Sequence, residues 1–334
     1  MSGATYSASG ISPRTNVFAA AEMLSHAEPV SVLSKFGLTK PLPQNKTDTI
    51  KFRRATPFEA LTTPLAEGVT PTIGSMAYED VSVSVLQWGA AYSISDKIAD
   101  THEDPVLKDM AMLCGEQAQK TLESIIWGKV KAGTTVYYAN GSARTDVNTT
   151  VSLNDIRKAV RYLKAQKGRK HTSMLSGSPN YGTAPIEGAY IGFTSTDMEA
   201  DIRNLAGFVP VAEYGSMKPL CAEEFGSVED VRFITSPELE PFTDVGGLDG
   251  DLVVSTTGTN ADVYPIIICA KEAYGLVPLK GKGAITPRII QPDSIDKSDI
   301  LGQRGYVGWK AYFNAIVLNQ TWLVRLECAA SVLS

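Results

Sequence analysis

Histidine is scarce in this chain: His26, His102 and His171 are the only three among 334 residues. Imidazole acid–base chemistry and histidine-rich metal sites therefore have little to draw on. Cysteine is almost as sparse. Cys114, Cys221, Cys269 and Cys328 stand at least 48 residues apart, without the paired spacing of a zinc site or the density of a disulfide scaffold, and read as buried thiols in a reducing compartment. Positive charge is not in excess either. Lys and Arg total 31 against 36 Asp and Glu, giving a formal charge of −5 and a pI near 5.4, the wrong sign for a protein that grips nucleic acid by neutralising phosphates. No uncharged apolar run approaches the roughly 18 residues of a membrane span, and Met1 to Gly10 lacks the basic start and apolar core of a secretory signal. The expectation is a chain that stays in the cell that makes it, with no membrane partner. Hydrophobic residues at 43% and charged residues at 20% are ordinary for a folded globular protein.

The catalytic and binding motifs are missing as well. His102-Glu103 opens like a zinc-protease pattern, but Val106 stands where the second histidine must lie one helical turn on. Gly281-Lys282-Gly283 lacks the spacing and the following Ser or Thr of a phosphate loop. Asp244, Asp249 and Asp251 miss the alternation and the terminal Glu of a calcium loop and read as a surface turn. No serine elbow or cysteine signature accompanies the histidines. The basic stretch Arg157 to Lys170 reads as a solvated helix face. The expectation is no catalytic residue, no cofactor and no metal.

What is present is a sequence of elements. Residues up to Pro43 form an arm of polar and small residues, a short helix-like stretch from Val17 to Leu24 and a proline-marked end. Ile50 and Phe52, then Val81, Val83 and Val85, alternate with polar neighbours at the period of a half-buried strand; Tyr92 and Ile94 read as an extension of the second strand. Between the strands, Thr56 to Tyr78 carries Pro57, Pro64, Pro71, Gly68 and Gly74, far longer than the usual hairpin loop of about 2–5 residues. It nevertheless holds Phe58, Leu61, Leu65, Val69 and Ile73. Apolar groups on a segment that cannot form its own core need burial elsewhere, so these five are the candidate subunit-interface residues.

Asp104 as N-cap and Pro105 at the first helical position start a long helix that Gly133 ends. Leu107, Met110, Cys114, Ala118, Thr121, Ile125 and Lys129 recur along it in steps of three and four. Residues 151–275 read as an α/β unit: Ser152 caps a helix with Leu153, Ile156, Val160 and Leu163 on its apolar face, Gly168 stops it, and a second helix follows from Ser195 to Leu205. Strands are expected at Val231–Ile234, Val263–Cys269, Gly275–Leu279 and Ala284–Ile290. The chain closes in an expected hairpin of Val307–Leu318 with Trp322–Cys328, the last strand alternating Trp322, Val324, Leu326 and Cys328 against Leu323, Arg325 and Glu327.

This order, an α+β chain with arm, long hairpin, spine helix, α/β unit and returning strands, resembles the Hong Kong 97 fold of tailed-phage capsids. Pro64-Leu65-Ala66-Glu67-Gly68-Val69-Thr70-Pro71 with Gln87-Trp88-Gly89-Ala90-Ala91-Tyr92 is similar to the extended loop of the major capsid family of N-4-type podoviruses. Phe208-Val209-Pro210-Val211-Ala212-Glu213-Tyr214 with Phe225-Gly226 resembles its middle segment. Leu301-Gly302-Gln303-Arg304-Gly305-Tyr306-Val307-Gly308-Trp309-Lys310, continuing through Trp322-Leu323-Val324-Arg325, resembles its C-terminal signature. The likeness runs from about Asn45 to Glu327. It implies an N-terminal arm (1–46), an extended loop (47–100), a peripheral domain (101–150 and 276–334) and an axial domain (151–275). It further implies a virion protein assembled in the host bacterial cytoplasm, with copies of itself in hexamers and pentamers, a scaffolding protein, a portal and a decoration protein as partners, and packaged DNA touched only weakly and non-specifically. Two rivals stay open: an encapsulin-type nanocompartment, marked by particles holding an enzyme without DNA, and an α/β enzyme, marked by a monomer with a deep polar pocket.

Overall fold

The computed structural model describes residues 31–333 apart from 63, 65, 66, 69, 71, 72, 102–105, 172–187, 216–217, 251, 282–284 and 293–298. The helix-like stretch at Val17–Leu24 and the Asp104–Pro105 cap lie outside the described residues. In chain order the elements are β1 (Leu38–Thr39), β2 (Thr49–Ala55), β3 (Tyr78–Ser84), β4 (Leu86–Ser95), α1 (Asp96–Thr101), α2 (Val106–Val130), β5 (Val136–Tyr138) and α3 (Leu153–Ala165). There follow β6 (Tyr190–Thr194), α4 (Glu199–Arg203), β7 (Val209–Pro210), β8 (Glu224–Val228), β9 (Val231–Thr235), β10 (Tyr264–Cys269), β11 (Tyr274–Pro278), β12 (Thr286–Ile290), β13 (Arg304–Val317) and β14 (Leu323–Cys328). These make a five-stranded sheet of β1, β11, β13, β12 and β4, a seven-stranded sheet in the order β5-β14-β10-β6-β9-β8-β7, and the separate pair β2-β3.

The long helix α2 exists because 25 residues without proline carry one continuous apolar stripe. That stripe is rotated by about one residue from the expected one. Leu107, Ala111, Cys114, Ala118, Leu122 and Ile126 are buried, whereas Met110, Thr121 and Ile125 are half-buried and Lys129 is exposed. The helix lies on β13, whose Val307, Trp309, Ala311, Phe313 and Ala315 alternate inward at the strand period. Trp309 Nε1 donates to Gln117 Oε1 at 3.1 Å. Each large side chain buried in this core contributes roughly 1.5–3 kcal/mol before ordering costs.

Two strand assignments need correction. Tyr92 and Ile94 do not extend the strand of Val81 and Val83: the pairing stops at Ser84, and β4 runs instead beside β13 from Leu86↔Phe313 to Ser95↔Arg304. Gly89 permits this approach, because a Cβ there would meet the Trp309 carbonyl oxygen at 2.6 Å. The expected terminal hairpin is also absent. β13 belongs to the five-stranded sheet, whereas β14 lies between β5 and β10 in the other sheet. A 3₁₀ turn at Gln320–Trp322, which Asn319 Oδ1 caps by accepting from Thr321 N–H at 3.1 Å, redirects the chain from one sheet to the other. Because β14 is interior, its alternation does not separate core from solvent: Leu323 and Glu327 are as fully buried as Val324 and Leu326.

Helix α3 forms as expected. The Asp155 carboxylate accepts from the Ser152 N–H at 3.2 Å and from its hydroxyl, and Ile156, Val160 and Leu163 are buried with β10 and β14 in a second core. The start of the described chain is held by a buried charge. Glu123 of α2 accepts from the N–H groups of Leu33 at 2.7 Å and Val32 at 3.0 Å, and burial pushes its carboxyl above the usual carboxylate range. Of the cysteines, Cys114, Cys269 and Cys328 are buried as expected, but Cys221 is only half-buried.

Candidate functional site

The strands β2 and β3 pair from Thr49↔Ser84 to Ala55↔Tyr78. A two-stranded ribbon is marginal alone, and three features hold this one. At its base Val83 packs with Leu42 and Val277, and Asn314 Nδ2 donates to the Ser84 carbonyl at 2.7 Å. Along the stem Arg53 grips Asp80 through two bonds of 2.7 and 2.9 Å, and this guanidinium pulls the Asp80 carboxyl down to about 2. Arg54 pairs with Glu79 in the next register.

Beyond Ala55, among the described residues, the pairing is reduced to one backbone bond from the Thr56 N–H to the Ala77 carbonyl at 2.9 Å. Here the side chains singled out above project into solvent. Phe58 is 74% exposed, Leu61 94% and Ile73 90%; Leu65 and Val69 lie outside the described residues. Met76 and Tyr78 are likewise more than half exposed and were not anticipated, since they sit where the loop passes into a strand whose alternation alone gives no outward direction. The stem therefore presents a row of apolar groups that the described residues do not cover.

The residues screened for chemistry are committed to structure. His171 is half-buried beside the Ala270 backbone and packs edge-on to Phe36, and burial lowers it to about 4. Asp244 Oδ1 accepts from the N–H and hydroxyl of Thr257 at 3.0 and 2.9 Å, so it shapes a turn. His26, His102, Glu103, Asp251, Lys282 and Gly283 lie outside the described residues. Among the described residues, no group of three or more His, Cys, Asp or Glu is placed to hold a metal ion, and no helix is long and apolar enough to cross a membrane.

The described residues thus form a mixed α+β body that carries a solvent-facing apolar ribbon. The family described as "Phage capsid protein" matches residues 78–326, most of the chain. This chain belongs to that family. The phage capsid protein is a structural subunit, not an enzyme. A curated relative, the major capsid protein of Pseudomonas phage KPP21, is 18% identical over 208 residues, which is 58% of this chain and 52% of the relative. The chain thus spans about half the length of that curated relative. Among solved structures, the capsid of Ralstonia phage GP4 matches with a TM-score of 0.66 at 11% identity, covering 89% of this chain and 87% of that one. The capsid of cyanophage Pam1 matches with a TM-score of 0.61 at 11% identity over 99% and 97%. At such identities the structural likeness speaks for the capsid fold alone.

Proposed function

We propose that this capsid protein is the major capsid protein of an N-4-type tailed phage, its copies forming the hexamers and pentamers of an icosahedral head around double-stranded DNA. The subunit has the Hong Kong 97 layout, divided into arm (1–46), extended loop (47–100), peripheral domain (101–150 and 276–334) and axial domain (151–275). The observation that carries the reading is the exposed apolar tip. Phe58, Leu61 and Ile73 stand exposed on the subunit and become buried when a neighbouring copy receives them. The receiver is that neighbour's α2 and its adjoining strand. In support, Leu113 stands on the outward side of α2 at 64% exposure, and Tyr92 of β4 reaches the same helix, its hydroxyl accepting from Gln117 Nε2 at 2.6 Å.

A net charge of −5 suits a wall past which DNA must slide during packaging, because a subunit without cationic excess does not hold phosphates tightly. Scaffolding, portal and decoration proteins are the further partners, and assembly takes place in the host cytoplasm before the subunit resides in the virion. Sedimentation of the expressed chain at high concentration, with and without scaffold, tests the proposal. It predicts megadalton particles, which by electron microscopy enclose DNA in the infected cell. A monomer under every salt and scaffold condition overturns the reading, and particles holding an enzyme instead of DNA favour a nanocompartment.

A further inference from the structure

A second exposed apolar surface lies far from the hairpin. The segment 242–263 folds back on itself through the bridges Phe242↔Val263 and Leu248↔Asn260, and the last described residues pair with it at Val253↔Ser331. Together they form a platform on which Leu248 is 71%, Leu252 77% and Leu333 74% exposed, with Val332 beside them. Its backbone is tied down at many points. Gly246 and Ala261 donate to the carbonyls of Ala261 and Gly247, Gly247 to Val147, and Val332 to Leu252, all at 2.8–3.1 Å; Asn148 Nδ2 holds the Leu248 carbonyl at 3.1 Å. Beneath it Val253, Ala261 and Ala329 are buried together. The apolar groups thus sit on a preformed frame, which lowers the ordering cost of binding.

Charge indicates what covers the platform. Residues 243–263 contain Asp244, Asp249, Asp251 and Asp262 and no Lys or Arg. The opposite composition occurs on α3 and the turn after it, where residues 157–170 carry seven Lys and Arg and no acid. Four of these cations are answered locally, among them Arg157 by Glu229 at 2.7 Å, Lys158 by Asp155 at 2.8 Å and Lys170 by Asp230 at 2.8 Å. Lys164 also pairs with Asp230. The exposed Arg161 lines a shallow groove with Arg157, Val160, Lys164 and Glu229. Platform and groove lie toward opposite ends of the seven-stranded sheet. The platform joins the chain just beyond Cys328, whereas the Glu229–Asp230 turn backs the start of β6, which runs beside the Cys269–Leu323 end of β10 and β14.

We infer that the platform of one copy docks on the α3 groove of a second copy, as a subunit contact distinct from the hairpin tip. The two surfaces differ, so the contact is head-to-tail, and a rotation that closes on repetition makes it a ring. Rings alone do not enclose a volume. A closed shell needs at least one further kind of contact, and on the reading above, on which this inference rests, the hairpin tip supplies it. The apolar patch, flanked by the half-exposed Asp244 and Asp249, meets the groove at the exposed Arg161, which fixes register and disfavours platform-to-platform pairing.

Charge reversal tests it. Asp249→Lys and Arg161→Glu each alter an exposed or half-exposed side chain, and circular dichroism checks that both fold. Each single variant is expected to raise the concentration needed for particle formation at least tenfold, and the double variant to restore it toward wild type. As a measurement without mutation, hydrogen exchange at residues 245–250 should slow in particles relative to free subunits. Single variants that assemble like wild type, a double variant no better than its parents, or unchanged exchange each overturn the inference. An Arg161→Glu effect confined to DNA retention assigns the groove to nucleic acid and overturns it too. A wild-type chain that never assembles overturns the capsid reading itself, an outcome distinct from these.

Discussion

The hairpin tip and the platform are both exposed and apolar, yet they are built in contrary ways. Among the described residues, the tip is tied by one backbone bond at its neck and belongs to no core cluster; the platform has a ladder of backbone bonds and a small core of its own. Clamping a neighbour across a gap calls for reach, which an unsupported loop on a stapled stem supplies. Setting the angle between copies calls for rigidity, which the platform supplies. The difference shows that exposure alone does not describe an interface: how much of its ordering is completed before contact decides what the contact can control.

The largest expected effect separates the tip from the body. Replacing residues 62–74 by a short Gly-Ser turn should abolish particles while changing subunit stability by less than about 1 kcal/mol, since the described residues of that stretch are exposed. Circular dichroism and a cooperative melt report the second half; normal shells from the shortened chain contradict the first. A smaller effect should strike the platform and spare the hairpin. Glu327 is fully buried and accepts from Arg144 at 2.7 and 2.8 Å, and Arg144 stacks 3.6 Å over the Phe242 ring at the platform's root. Arg144→Ala leaves that carboxylate with Arg325 alone, at a cost of about 3 kcal/mol. Denaturant melts should record the loss and exchange should quicken over 242–263, while the Arg53–Asp80 stem keeps its protection.

Acid should act on the body that carries both regions. Burial holds His171 at about 4 in the folded chain against 6.5 ordinarily. Above pH 6.5 neither state is protonated, and as pH falls from 6.5 toward 4 only the unfolded chain gains a proton. Stability from this group is therefore lost over that window, on the order of 2 kcal/mol. His171→Phe should flatten this part of the pH profile; an unchanged slope contradicts the burial argument. The smallest effect concerns one side chain. Leu61→Ser, at 94% exposure, should leave the melt within about 0.5 kcal/mol yet reduce particle yield. Chemistry gives one further distinction: residues 55–96 contain neither Lys nor Arg, so that stretch offers no lysine to join neighbours covalently. Boiled particles should run near 35.8 kDa, and a ladder of oligomers contradicts this.

The tip was legible because prolines and glycines break both periodicities while apolar residues persist between them. The long helix was legible because its three- and four-residue steps continue for seven turns. Its buried face was misplaced by about one residue, since Ala111 and Leu122 score no better than Met110 and Ile125 until the helix is laid on β13. Sheet membership was not legible. Alternation in β13 and β14 states which faces are apolar but not which strand lies alongside, and the short link at Leu318–Trp322 has the length of a hairpin turn. The platform left a charge signature, acids without cations from 243 to 263, but its apolar residues are spread over two segments 80 residues apart that only the fold brings together.

The central claim is that the hairpin tip of one copy is buried on the α2 helix and adjoining strand of the next. A density map of the assembled particle by electron cryomicroscopy tests it most directly. Phe58, Leu61 and Ile73 should lie within van der Waals contact of a neighbour's Leu113 side of α2 and its β4. Tips that stand free in solvent, or that fold back on their own subunit in an intact shell, contradict it.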